Sequence, residues 1–184
     1  MKKSTLVLIA ILAALVIWGF SGYNSLVGLN EGADAQWATV ETQYQRRFDL
    51  IPNLVNSVKA NLTQEQSVFG DLADARARYS GAATPNAKAA AASEVETALS
   101  RLLVIVENYP QLSSSATIQG FMAQLEGTEN RISVERTRFN DLIRDYNVSI
   151  KRFPRNILAA ITGFNERNYF EAKEGSDVAP TVNF

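Results

Sequence analysis

Residues 26–55 read LVGLNEGADAQWATVETQYQRRFDLIPNLV. Through this stretch and beyond it, apolar residues recur at steps of three and four: Leu26, Leu29, Ala33, Trp37, Val40, Tyr44, Phe48, Ile51, Val55, Val58, Leu62, Phe69 and Leu72. That rhythm is a helical seam close to a heptad repeat, and it excludes a strand, whose side chains alternate with a period of two. Pro52 lies inside the seam and would ordinarily end or kink a helix, with Asp49 available to cap a new one. The phase from Tyr44 through Phe48 and Ile51 to Val55 passes the proline unbroken, and no Gly or Ser flanks it to reverse the chain. The pattern predicts one long, bent helix reaching about Tyr79; a hairpin at Pro52 is the alternative.

Upstream of the seam stands TLVLIAILAALVIWGF, an uninterrupted apolar run from Thr5 to Phe20 that ends in aromatic residues at Trp18, Phe20 and Tyr23. Extended to Tyr23, with Lys2 and Lys3 reaching back to the interface, it is long enough to span a bilayer core, which takes roughly 20 residues. No Lys or Arg follows before Arg46, so the positive-inside rule places the N-terminus in the cytoplasm and the remainder outside. A cleaved signal peptide is the competing reading, with Gly19 and Ser21 as the small residues, although no Ala-x-Ala-like site follows the run.

Downstream, Ser80-Gly81-Ala82-Ala83-Thr84-Pro85 is a turn that closes on a capping threonine and a first-turn proline, opening a second helix with Leu99, Leu102, Leu103 and Val106 on its face. Tyr109-Pro110 ends it. A third helix is predicted from about Ala116 to Phe153, with Phe121, Leu125, Ile132, Phe139, Leu142, Ile143, Tyr146 and Ile150 on its apolar side, and Pro154 closes it. Residues 156–172 are short and apolar; they would cap the open end of the bundle or form an interfacial helix on lipid, and capping is the preferred reading because only Arg155 and Arg167 lie nearby. The whole predicts an all-α fold: a transmembrane anchor at 1–23, an elongated antiparallel helical bundle at 24–172 with a long kinked first helix, and a flexible polar tail at 173–184.

Composition removes most chemistries. The 184 residues contain no His and no Cys, which excludes Ser-His-Asp and Cys-His catalysis, the usual zinc sites, disulfides and a lipid-bearing cysteine. The net charge of -1 gives no basic face for nucleic acid, and no cofactor is expected. Carboxylate pairs such as Glu126 with Glu129 are spaced as solvated helix faces, and Ser57 with Lys59 or Ser149 with Lys151 are two residues apart and point away from each other.

Two polar groups remain as candidates. Arg46, Arg47, Asp49, Asn53 and Lys59 surround Pro52, and form either a charged groove or, more economically, a network tying the kink to the third helix. Glu129, Asn130, Arg136, Asn140 and Asn147 recur at near-heptad spacing on the third helix, where polar seam residues select register. Geometry adds an expectation about assembly: alternating helices would leave Leu26, Leu29, Ala33, Trp37 and Val40 nearest the membrane uncovered, so these five are expected to pack on a second copy.

Three stretches together resemble the LemA family of bacterial membrane-anchored proteins. They are Tyr23-Asn24-Ser25-Leu26-Val27 with Arg46 to Val55 and Lys59; Asn108-Tyr109-Pro110-Gln111-Leu112; and Gly127 to Ile132 with Arg136, Phe139-Asn140, Tyr146-Asn147, Phe153-Pro154, Gly163-Phe164 and Tyr169 to Ala172. The resemblance implies a one-span protein with an all-helical bundle outside the cytoplasm, no defining catalytic residue, and companionship with envelope proteins such as TPM-domain proteins or membrane metallopeptidases. Phe48 and Phe139 stand where the family often has Tyr. The resulting expectation is a non-enzymatic scaffold of the bacterial inner membrane that self-associates through its helices. Its rivals are an adaptor for an envelope protease or TPM-domain partner and, more remotely, an unrecognised enzyme.

Overall fold

The computed structural model describes residues 3–59 and 66–170, and everything described is helix or connection, with no strand. In order, the helices are α1 (Lys3–Lys59), α2 (Gln66–Gly81), α3 (Pro85–Asn108), α4 (Pro110–Ser113), α5 (Ala116–Lys151) and α6 (Arg155–Thr162). The all-α expectation holds. The tail at 173–184 lies outside the described residues.

Pro52 neither ends α1 nor reverses it; the helix continues to Lys59. Two expectations are thereby corrected. The hairpin is not at Pro52, and the first helix does not run on to Tyr79. The Tyr79 ring lies 4.5 Å edge-on from Phe48 and 5.6 Å from Tyr44, whereas a continuous helix would carry residue 79 some 46 Å beyond residue 48 at about 1.5 Å per residue. α2 is therefore a separate helix that brings Tyr79 back against α1. The apolar rhythm carried no trace of this, because α2 resumes the same three-four spacing at Phe69 and Leu72.

The described residues divide into two compact units, one from 3–38 and 137–169, the other from 39–59, 66–136 and 170. In the second, α2 and α3 pair through small and aliphatic residues: Leu72 and Ala75 on one, Ala91, Ala92, Val95, Ala98, Leu99 and Leu102 on the other. Alanines at this interface let the two backbones approach closely while the leucines fill the space beside them. The start of α3 is fixed as the sequence predicts, with Thr84 Oγ1 accepting from Ala87 N–H at 3.2 Å and Pro85 in the first turn. From α1, Tyr44, Phe48, Ile51, Leu54 and Val58 are buried in the same unit.

The first unit holds the N-terminal part of α1, the C-terminal part of α5, α6 and the segment after it. Its centre is Leu26, Tyr146, Ile150 and Ala159, with Leu29, Leu158 and Phe164 packed around them. Trp37 packs at a tilt against Phe139, ring centroids 5.3 Å apart, and Tyr23 likewise against Phe164 at 5.8 Å. Within this chain Leu26 and Ala33 are fully buried and Trp37 nearly so, and Leu29 is half-buried; Val40 is likewise buried in the second unit. The premise that these five residues lie uncovered is thus corrected: α6 with Phe164 folds back over Leu26 and Leu29, and Phe139 of α5 covers Trp37.

Tyr79 offers a test of the α2 docking. Its ring is buried between Tyr44 and Phe48, yet its hydroxyl has no hydrogen-bond partner among the described residues. Urea unfolding of the full chain in mild detergent should show Tyr79→Ala losing about 3 kcal/mol. Tyr79→Phe should unfold at the same urea concentration as the parent or a higher one, because it removes an unsatisfied polar group and keeps the ring.

Candidate functional site

A partly buried polar cluster links α1, α3 and α5. Tyr44 and Arg47 are one turn apart on α1, and Glu129 and Arg136 are two turns apart on α5, so each pair projects from one helix face. Arg136 Nε donates to Tyr44 Oη at 2.8 Å, while its Nη2 bonds both Tyr44 Oη and a Glu96 carboxylate oxygen. Arg47 bonds Glu129 and lies 3.6 Å from the same Glu96 oxygen. Glu96 thus sits between two guanidiniums, and two arginines face two glutamates with no net charge left over. The Arg136 guanidinium also lies over two rings, 5.3 Å from the Tyr44 centroid and 4.4 Å from that of Phe170.

Burial dominates the electrostatics. It raises the Tyr44 hydroxyl well above the ordinary phenol range against the opposing pull of Arg136, and it pushes Tyr79 up to about 12 with help from Glu41. The Glu96 carboxyl is raised for the same reason, Arg136 opposing the shift and Glu129 adding to it. Arg136 is held above its ordinary value because its anionic neighbours outweigh its own burial. A tyrosine raised this far is no base, and the arginines are already engaged. Arg47 Nε and Gln43 Oε1 are buried without partners among the described residues. The arrangement fixes three helices in register; it presents no activated nucleophile.

The residues expected around Pro52 do not gather into a groove. Arg46, Asp49, Asn53 and Lys59 are exposed, Pro52 is half-buried, and Asp49 accepts from Gln45 Nε2 at 2.7 Å rather than pairing with Asn53. The Asn53 carbonyl accepts from Ser57 Oγ at 2.8 Å. On α5, Glu129 and Arg136 join the cluster, Asn130 is exposed and Asn140 is half-buried. Asn147, in the first unit, is buried and clamps the backbone of Arg167, donating to its carbonyl at 2.8 Å and accepting from its N–H at 2.9 Å. Arg167 in turn reaches α1, donating to Asn30 Oδ1 at 2.9 Å and pairing with Asp34 at 2.5 Å. Tyr146 Oη donates to the Asn165 carbonyl at 2.8 Å. Sequence reasoning missed Tyr44, which passes for one more apolar seam residue. It also missed Glu96, whose place between Ala92 and Leu99 beside the apolar stripe of α3 was the available sign. Among the described residues no group of three or more acidic side chains is placed to hold a metal ion.

One helix among the described residues is long and apolar enough to cross a membrane, α1, and its residues from Leu6 to Phe20 are exposed rather than packed on the chain. An all-helical protein with an uncovered apolar helix at its N-terminus is the class these features define. Residues 36–184 match the LemA family, and the chain belongs to that family. Two magnetosome proteins of Paramagnetospirillum magneticum, MamQ 1 and MamQ 2, are each 30% identical to it over 203 aligned residues, covering 96% of this chain and 73% of the relative. Magnetosome protein MamQ of Magnetospirillum gryphiswaldense is 30% identical over 200, covering 95% and 72%. The protein is membrane-associated, and neither its family nor these relatives are known as enzymes.

Glu96 yields a prediction with a definite sign. Its proton is held more tightly in the folded chain than at the ordinary value of 4.5, so its contribution to stability is full below 4.5 and is lost as pH rises through the raised folded value. The stability difference between the parent and Glu96→Gln should therefore favour the parent most in acid and least at neutral pH. Denaturation of both proteins across that range checks it; the opposite slope would mean that the two arginines outweigh burial.

Proposed function

We propose that this protein is a non-enzymatic interaction protein of the bacterial cell envelope, held in the inner membrane by α1 with its N-terminus in the cytoplasm and its helical units outside. It works by contact with a different membrane or envelope protein. The observation that carries this reading is the contrast along α1 between exposed apolar residues at 6–20 and buried ones from Leu26 onward. The exposed run calls for a bilayer; the buried run leaves no apolar seam waiting for a second copy. Lys2 and Lys3 ahead of the run, with no cation before Arg46, support the orientation. The absence of His and Cys and the mutual neutralisation of Arg47, Arg136, Glu96 and Glu129 support binding over catalysis. Relatives named as magnetosome proteins favour a role at an organised cellular structure.

The adaptor reading therefore takes precedence over self-assembly through Leu26, Leu29, Ala33, Trp37 and Val40. Mass photometry of the full chain in mild detergent should give one chain per particle, and cross-linking in native membranes should give a stoichiometric product with another protein. A ladder of self-linked species would restore the scaffold.

A further inference from the structure

The α6 helix is two-sided. Leu158 and Ala159 turn inward to the core of the first unit, and Leu158 Cδ2 approaches to 2.9 Å of the position a Cβ on Gly22 would occupy. A side chain at 22 would press on the tip of Leu158, so glycine there gives the leucine its place against α1. Ile157 and Ile161 are four residues apart on one stripe of α6 and are 52% and 78% exposed, and Phe153, in the turn that leads into the helix, is 79% exposed. Large apolar side chains that far into water, gathered at one short helix and its entry turn, call for a covering surface.

Gly22 fixes what that surface is. It lies two residues past the apolar run of α1 and stands between Trp18 and Phe20 on one side and Tyr23 on the other, aromatic residues of the kind that mark the boundary between hydrocarbon and headgroups. A helix packed on Gly22 is therefore held at the membrane surface. An open groove of about 520 Å³ lies beside the start of α6, its apolar wall made by Trp18, Leu29 and Phe153 and its charged rim by Asp145, Arg152 and Arg155. Arg152 is exposed and makes no ion pair among the described residues, and Arg155 donates to Ser149 Oγ at 2.9 Å. Cations flanking an apolar stripe suit an interface rich in phosphate.

We infer that α6 is a second membrane contact, lying in the headgroup zone of the bilayer that α1 spans, with Phe153, Ile157 and Ile161 in lipid and Arg152 and Arg155 towards lipid phosphates. This rests on the anchoring role of α1 proposed above. The helix thus serves both purposes between which the sequence left a choice: its inner face caps the unit and its outer face meets lipid.

The absence of native cysteine permits single labels. Leu12→Cys, Ile161→Cys and Val104→Cys, the last on the exposed side of α3, would each carry an environment-sensitive fluorophore in the full chain, reconstituted in phosphatidylcholine–phosphatidylglycerol vesicles containing lipid-borne quenchers. The label at 161 should shift to the blue and lose most of its emission to a shallow quencher. The label at 12 should respond to a deep quencher, and the label at 104 to neither. If 12 responds and 161 behaves like 104, the second contact is overturned while the anchor stands, whether α6 is then covered by another copy or by nothing. If 12 fails to respond, the anchor and this inference fall together.

Discussion

One helix has to satisfy two solvents, and the rest of the fold is a consequence. Over its first turns α1 offers apolar side chains all round, which only lipid can accept; from Leu26 it offers a single apolar stripe, which only other helices can cover. The stripe continues past Pro52, whose missing N–H leaves the Phe48 carbonyl without its helical partner but does not stop the helix. Burying that stripe places Tyr79 of α2 against Tyr44 and Phe48, and in the other unit Phe139 against Trp37 and Tyr146 beside Leu26. Each contact is apolar, and each is positioned by the seam.

Charge enters this interior only where it is cancelled. Arg47 and Arg136 face Glu96 and Glu129 in one unit, and Arg167 faces Asp34 in the other. Such groups add little stability over an apolar core of the same shape, but removing one partner strands the other, so they select a single register for helices whose apolar repeats would tolerate several. Asn147 does the same for a segment without secondary structure, occupying both the N–H and the carbonyl of Arg167. A molecule built this way has little reactive surface, which agrees with its place among membrane-associated LemA proteins.

Much of this was legible in the sequence because it depends on local pattern. The seam predicted α1 through Pro52, Thr84-Pro85 predicted the start of α3, and Pro154 predicted the end of α5. What escaped was long-range. Leu62, Phe69 and Leu72 keep the rhythm of the first helix, so periodicity could not reveal that α2 is a separate helix packed back on α1. Helix counting leaves Leu26 to Val40 bare because it places residues 156–172 as a cap on the open end of the bundle and not over that stretch, where Leu158 and Phe164 in fact pack on Leu26 and Leu29. Arg47 is legible by its place beside Pro52, and Glu129 and Arg136 by their near-heptad spacing; Tyr44 and Glu96 are not, since a phenol reads as apolar and one acid beside a stripe reads as solvated.

The central claim is that each chain covers its own seam. Asp34 on α1 and Arg167 in the closing segment pair at 2.5 Å, so cysteines in their place are within reach of a short cross-linker. With Asp34→Cys and Arg167→Cys combined in a full chain that has no other cysteine, the linked product in membranes should retain the mass of one chain. A product of twice that mass, lost when the chains are diluted into excess lipid, would show that the closing segment reaches across to a neighbour and would contradict the account.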